Sequence, residues 1–383
     1  MKHSKYSFIL TVILLLFTVC SNDTPGDMNP NPNPDPSNDM IKAPEIYKAS
    51  TEGYSCFRIP AIVQTRNRTL LAFAEGRKRN CRDEGDIDLV LRRSTDNGET
   101  WSDLVMVWDD ADNTCGNPSP IVDMETGRIH LLMTWNLGED NIGAINAGTS
   151  KDTRRVFYSW SDDDGLTWVK PKEITSSVKN PAWGWYATGP CHGIILTKEP
   201  YKGRIVVPCD YIEVGPGRKQ YSHVIYSDDK GETWKIGGTS VGGNESTVAE
   251  LSDGRLMLNM RNSSPYRTFA FSSDGGETWT ASRQDYALPD PTCQASILNT
   301  LINDKHFLFF SNAASASRIN MTIKKSSDNG ATWPYSYIIN SGPSAYSDIV
   351  MVSENEIGIL YEKGNNNPYE KISFEKINVQ KIK

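Results

Sequence analysis

An arginine interrupts an apolar, strand-like run: Tyr54-Ser55-Cys56-Phe57-Arg58-Ile59-Pro60-Ala61-Ile62-Val63. A guanidinium enclosed by such residues must be paired, because an isolated charge is not tolerated away from water. Arg58 is therefore either the cation of a salt bridge to some Glu or a planar fork offered to a ligand carboxylate. Other chemistry-bearing types are more dispersed. Five His are scattered singly. The six Cys after Cys20 (Cys56, Cys81, Cys115, Cys191, Cys209, Cys293) match no metal-ligand spacing. An exported chain can oxidise some of them, and Cys81 with Cys115 is the expected bridge; otherwise they are buried thiols.

The elements that must position such groups are announced by a repeated phrase. Ser94-Thr95-Asp96-Asn97-Gly98-Glu99-Thr100-Trp101 returns from Ser161, Ser227, Ser272 and Ser326 with Ser, Asp, Gly, Thr and Trp in register. Repetition at this period means supersecondary units that cannot bury their apolar faces alone. Asp followed two residues later by Gly closes a tight turn: the carboxylate accepts nearby N–H groups and Gly supplies positive φ. Thr and Trp re-enter a strand, where the indole can pack over the turn. Runs such as Asp88-Leu89-Val90-Leu91 and His223-Val224-Ile225-Tyr226 precede the phrase, so it reads as a hairpin tip between strands of one sheet. A turn repeated five times cannot build one asymmetric site, and its carboxylates read as structural staples.

The chain has 383 residues, 38% of them hydrophobic, with 10 Trp and 16 Tyr. Frequent turns and few long helical patterns point to an all-β protein. A net charge of −7 argues against nucleic acid and against a basic membrane-binding face. Lys2 and Lys5 followed by the apolar run Phe8–Val19 read as an export signal over residues 1–20. Its ending at Cys20-Ser21-Asn22 resembles a bacterial lipoprotein signal, although Val19 departs from the small residue usual there; ordinary cleavage is the alternative. The expected location is the periplasm or the outer-membrane surface of a bacterium. Residues 21–40, with Asn29-Pro30-Asn31-Pro32-Asn33-Pro34, read as an extended linker. Residues 41–383 contain no further break and read as one domain, expected to be monomeric.

Phe57-Arg58-Ile59-Pro60 followed by five Ser-x-Asp-x-Gly-x-Thr-Trp phrases resembles the exo-α-sialidases (neuraminidases) of the bacterial and animal type. The resemblance covers essentially all of 41–383 and implies a six-bladed β-propeller with four-stranded antiparallel blades. It implies further residues. Arg261 and Arg318 join Arg58 in a triad for the carboxylate that sialic acid carries on its anomeric carbon. Tyr346, in Ser344-Ala345-Tyr346-Ser347-Asp348, matches the nucleophile, since a neutral phenol approaches that anionic centre without repulsion. A phenol needs a neighbouring base. Glu245 matches it, with Glu250 the rival by residue type. The leaving oxygen needs a proton donor. Asp83 matches that acid, within a loop that also offers Glu84, Asp86 and Asp88; Asp86 is the runner-up and Glu84 fits a solvated face. Glu362 resembles the carboxylate that fixes the first arginine, and Arg77 a contact to the sugar's 4-hydroxyl. The aromatic run Trp183–Pro190 reads as pocket floor, glycerol-tail contact or core.

The resemblance implies an exo-α-sialidase acting on sialylated glycans, glycoproteins or glycolipids with retention, requiring no metal and no organic cofactor. A trans-sialidase shares every one of these residues. A non-catalytic sialic-acid-binding propeller would keep the arginines and lose the Tyr, Glu or acid, all of which are present. A propeller acting on a deaminated sugar analogue is the remaining alternative.

Overall fold

All five repeated phrases fold as the same turn. In the first, the Ser94 hydroxyl donates to Asp96 and accepts from the Gly98 N–H, while the Asp96 carboxylate accepts from the Thr100 N–H and hydroxyl. Asp163, Asp229, Asp274 and Asp328 are held identically by Thr167, Thr233, Thr278 and Thr332. The glycines run from φ 78° at Gly165 to 95° at Gly276, a conformation that side chains resist. Both carboxylate oxygens are used inside each turn, so these groups are staples.

The computed structural model describes residues 45–383. The export segment, Cys20, the linker 21–40 and residues 41–44 lie outside the described residues. The strands run in chain order as antiparallel meanders. After the edge strand β1 (Glu45–Lys48), the first comprises β2 (Cys56–Gln64), β3 (Leu70–Arg77), β4 (Ile87–Ser94) and β5 (Val105–Trp108). Next come β6 (Thr114–Val122), β7 (Ile129–Asn136), helix α1 (Ile142–Ala147), β8 (Arg155–Ser161) and β9 (Lys172–Glu173). Helix α2 (Thr175–Val178) leads to β10 (Trp183–Thr188), β11 (Ile194–Ile195), β12 (Ile205–Glu213), β13 (Gln220–Ser227) and β14 (Lys235–Val241). Then follow β15 (Ser246–Glu250), β16 (Leu256–Met260), β17 (Tyr266–Ser272) and β18 (Arg283–Pro289). The last are β19 (Ser296–Ile302), β20 (Lys305–Ala313), β21 (Ile319–Ser326), β22 (Tyr335–Ser353), β23 (Glu356–Lys363) and β24 (Lys371–Asn378).

Strands β2–β9 form one sheet, in which β4 meets β6 through a single parallel pair, Ile87 with Thr114. The sheets β10–β14 and β15–β18 stand alone. The long β22 serves two partners, pairing with β21 up to Pro343 and with β23 from Ser344. Finally β1, the first described strand, pairs with β24, the last.

Burial falls toward the last strand in most of the meanders; β19, less buried than β20, is the exception. Strands β2 and β6 are buried at all but their final residue, whereas β14 and β18 are mostly exposed. The opening strands thus run through the middle of the molecule, and residues at their ends face a shared centre. The phrase tryptophans join one meander to the one before it, more than they cover their own turns. Trp168 meets Phe73 at 5.6 Å between ring centroids, Trp234 meets Tyr158 at 5.4 Å, and Trp101 meets Phe374 of the last strand at 5.3 Å. Trp101 keeps one bond to its own turn, from Nε1 to the Gly98 carbonyl. Fully burying one large apolar side chain contributes about 1.5–3 kcal/mol; Trp234 and Trp333 are buried and the other three half-buried, so the links supply that or a fraction of it.

The disulfide is Cys56–Cys81, with 5.3 Å between Cα atoms, and not Cys81–Cys115. The hairpin explains the difference. Cys56 pairs in register with Arg77 at the end of β3, so the loop leaving β3 brings Cys81 back over it. Cys115 is a buried free thiol packed among Leu89, Leu91 and Leu131.

Candidate active site

A cavity of about 550 Å³ opens where the strand ends converge. Arg58, Arg77, Asp83, Glu245, Arg261, Arg318 and Tyr346 all line it. Glu362, the eighth predicted residue, lies just behind, fully buried.

Arg58 reaches the cavity because β2 bulges. Arg58 pairs with Glu75 and Ala61 with Phe73, leaving Ile59 and Pro60 opposite one residue of β3. Ile59 sits at φ 60°, a left-handed conformation that is costly for a β-branched residue and persists only where surroundings enforce it. Glu362 is the enforcer. Its Oε1 accepts from Arg58 Nε at 2.7 Å and from the Ile59 N–H at 3.0 Å, and its Oε2 accepts from the Tyr346 N–H at 3.1 Å. One carboxylate therefore ties the arginine, the bulge and the tyrosine together.

Around Tyr346 the charges alternate. Its hydroxyl donates to Glu245 Oε1 at 2.6 Å, and Arg261 Nη1 donates to Glu245 Oε2 at 2.6 Å and to the Tyr346 oxygen at 3.0 Å. The Cζ atoms of Arg58 and Arg318 lie 5.0 and 5.6 Å from the Tyr346 ring centroid. Burial pushes the phenol well above its usual pKa and Glu245 pushes the same way, while Arg261 and Arg58 oppose them. The phenol accordingly holds its proton tightly and donates it in a hydrogen bond to Glu245. The guanidinium groups from three distant parts of the chain do meet, with the phenol among them.

Asp83 stands at the mouth, 62% exposed, its Oδ1 2.9 Å from Arg77 Nη2. Partial burial raises its carboxyl, but Arg77 and then Arg58 outweigh that and hold it below the usual carboxylate range. These two arginines therefore oppose the neutral form that a proton donor needs. Arg77 is fully engaged by protein: Nε and Nη2 donate to Glu75 Oε2 at 3.0 and 2.6 Å, and Nη1 to the Cys81 carbonyl at 2.6 Å. The rival carboxylates face elsewhere. Asp86 and Asp88 bind Lys78, Glu84 approaches Arg82, and Glu250 accepts from Thr197 and Lys198.

Three pocket residues carried no role in the sequence reading. Asp210 is fully buried; Oδ2 accepts from Asn244 at 3.2 Å and Oδ1 has no partner among the described residues. Burial, reinforced by Glu245, pushes its carboxyl well above the usual range against the pull of Arg261 and Arg154. It interrupts the apolar strand run Ile205–Ile212 just as Arg58 interrupts its own, a signal that was available. Arg154 is buried with its guanidinium stacked 3.8 Å from the Trp185 ring, and it donates to Thr134, Asn136 and Asn117. Burial draws it down to about 10. Nothing in Thr153-Arg154-Arg155 marks it. Tyr369 touches two of the three arginines. Of the aromatic run, Trp185 lines the cavity, whereas Trp183 stacks on Tyr211 at 3.7 Å in the core.

A family model described as a BNR repeat-like domain matches residues 68–360. The chain is similar to a sialidase of Micromonospora viridifaciens, 35% identical over 332 residues, covering 82% of this chain and 50% of that one. It is also similar to an exo-alpha-sialidase of Arthroderma benhamiae, 34% identical over 343 residues, covering 82% of this chain and 79% of that one. The chain belongs to the exo-α-sialidase family. Among solved structures, the Hadza microbial sialidase Hz136 aligns with a TM-score of 0.81 at 31% identity, covering 89% of this chain and 69% of that chain. The sialidase likeness makes the all-β body one of the propeller type. The chain spans about half the length of the Micromonospora sialidase.

Proposed function

We propose that this chain is a retaining exo-α-sialidase that removes terminal α-linked sialic acid from glycans, glycoproteins or glycolipids. The observation that carries the reading is the Tyr346–Glu245 pair at 2.6 Å, set among three guanidinium groups. Arg58, Arg261 and Arg318 chelate the carboxylate on the anomeric carbon, and charge-assisted forks of this kind are the strong class of hydrogen bond. The bound carboxylate offsets Arg58 and the sugar excludes water, both of which raise the Asp83 carboxyl toward its protonated form. Asp83 then protonates the departing glycosidic oxygen while Glu245 takes the phenolic proton. Tyr346 Oη bonds to the anomeric carbon as the C–O bond to the aglycone breaks. Water, deprotonated by Asp83, then bonds to the anomeric carbon as its bond to Tyr346 Oη breaks, and Glu245 returns the proton to the phenol. Two displacements preserve the anomeric configuration.

Taking the β4–β6 contact as a junction and dividing β22 at Pro343 groups the strands into six sets of four, β11 aside. This supports a six-bladed propeller whose last blade is closed by β1. In the same reading residues 1–20 are an export signal, lipidated at Cys20, 21–40 a linker and 41–383 a monomeric catalytic domain. That places the enzyme on a bacterial periplasmic or outer-membrane surface.

Tyr346→Phe keeps the ring and the fold and removes the nucleophile. Turnover of a sialyl-lactose should fall by orders of magnitude, because the covalent intermediate can no longer form. Mass spectrometry after incubation with a 2,3-difluorinated sialic acid should find the sugar on the peptide containing Tyr346. Undiminished turnover in the variant, or the adduct on another residue, would refute the mechanism.

A further inference from the structure

The three arginines are not equally neutralised. Arg58 has Glu362 at 2.7 Å and Arg261 has Glu245 at 2.6 Å. Arg318 makes no ion pair among the described residues. Its Nη1 donates to the Tyr369 hydroxyl at 2.7 Å and its Nη2 to the Thr292 carbonyl at 3.4 Å. An arginine held by neutral oxygens keeps its full charge for a ligand, but its long side chain lacks the ion pair that would fix it.

Tyr369 is built to supply that restraint. It sits in the loop between β23 and β24, where the Glu370 carboxylate accepts the N–H groups of Asn365, Asn366 and Asn367 at 3.0, 2.9 and 3.2 Å. Asn367 Oδ1 accepts the N–H of Tyr369 itself at 2.8 Å. A loop fastened on its own backbone presents the phenol in one place. The face of the same ring lies 4.2 Å from the Arg58 Cζ, within cation–π range. One side chain therefore touches the first arginine with its face and the third with its hydroxyl. Among the described residues Tyr369 has no carboxylate partner of the kind Glu245 gives Tyr346, and its hydroxyl serves as an acceptor for Arg318.

We propose that Tyr369 is a positioning residue that orients Arg318 and Arg58 as a preformed fork for the substrate carboxylate. The proposal rests on the sialidase reading, in which the triad binds that group. A guanidinium has five N–H donors; Arg318 uses two on protein, and the rest stay available to the ligand. Because Tyr369 acts on ground-state carboxylate binding, it governs KM and leaves the chemical step alone.

The test uses the full chain and two readouts, steady-state kinetics on sialyl-lactose and calorimetric titration with free sialic acid. Tyr369→Phe keeps the ring under Arg58 and removes the acceptor for Arg318. KM and the sialic acid Kd should both rise about tenfold, with kcat within about twofold and the melting temperature unchanged. Tyr369→Leu, which also removes the aromatic face, should raise both further. Glu370→Gln, which loosens the loop without touching an arginine, should raise KM in the same direction by a smaller factor and keeps the proposal testable if Tyr369→Phe does not fold. KM and Kd unchanged in Tyr369→Phe, or kcat falling while KM holds, would overturn the proposal. A parent protein that neither binds sialic acid nor cleaves the glycoside would instead overturn the sialidase reading.

Discussion

Glu362→Gln tests whether a single buried carboxylate holds the catalytic geometry together. Glu362 is inaccessible to solvent and accepts three N–H groups: from Arg58, from Ile59 in its left-handed conformation, and from Tyr346. In the variant the amide oxygen can keep the Arg58 and Ile59 donors. The amide nitrogen then faces the Tyr346 N–H, donor against donor, and leaves it unsatisfied at about 1–3 kcal/mol. The charge opposite a buried Arg58 is also lost. Breaking a buried pair by removing one partner costs about 3–5 kcal/mol, and the retained hydrogen bond recovers part of it. A net loss of about 3–5 kcal/mol is a large share of the ~5–15 kcal/mol that folded domains possess. At about 2 °C per kcal/mol for a domain of this size, the melting temperature should drop by roughly 6–10 °C. The weakened tie also lets the Ile59 bulge relax, which swings Arg58 out of register, so KM for a sialoside should rise together with the loss of stability. Thermal unfolding and steady-state kinetics on the same preparation measure both. A variant melting within about 2 °C of the parent with unaltered KM would show that the bulge and the arginine are set by packing alone, and the argument from Glu362 would fail.

Asp210→Asn should reveal the upward shift of that carboxyl. A group whose folded pKa is raised contributes stability at pH below its unfolded value, near 3.9, and loses it as pH climbs toward the raised value. Asn stays neutral, so the variant should match the parent at or below about pH 4 and gain on it as pH rises above that; a pH-independent difference in urea unfolding would contradict this. The five turns predict the opposite limb. The Thr100 hydroxyl and N–H hold Asp96 down to about 2, and in the other four turns burial pulls upward yet Thr hydroxyls and N–H groups carry the carboxyl below its usual value. Depressed carboxylates stabilise the fold above their unfolded pKa and lose that contribution as pH falls through the folded one. Their contribution should therefore be constant from pH 7 to about 4.5 and lost toward pH 2. Thr100→Val should make the loss in that window shallower, and an unaltered acid-unfolding curve would rule it out.

The sequence announced its turns because turn chemistry is local. Ser94, Asp96, Gly98 and Thr100 satisfy one another within seven residues of chain, so the same atoms close the same turn wherever the phrase occurs. Arg58 was legible for a related reason, since a charge within an apolar run demands a partner in any fold. Asp210 sends the same signal from β12 and carried no role until the pocket assembled around it.

Partnerships across the molecule are another matter. The bridge from Cys56 to Cys81 depends on β2 and β3 bringing the ends of a hairpin together, while Cys115, the expected partner, went into the apolar core. Arg154 and Tyr369 come from unremarkable stretches and matter only because folding sets one on Trp185 and the other between Arg58 and Arg318. The protonation states belong with them: the Asp83 carboxyl is held down by Arg77 and Arg58, and the Tyr346 phenol is pushed up by burial beside Glu245. By itself the sequence determined which residues turn the chain and which could bear charge, because those properties reside in single side chains and their immediate neighbours. Only the tertiary structure decided which charges meet and which protons they keep, because Coulomb interaction and desolvation depend on distance and burial, and neither is a property of position along a chain.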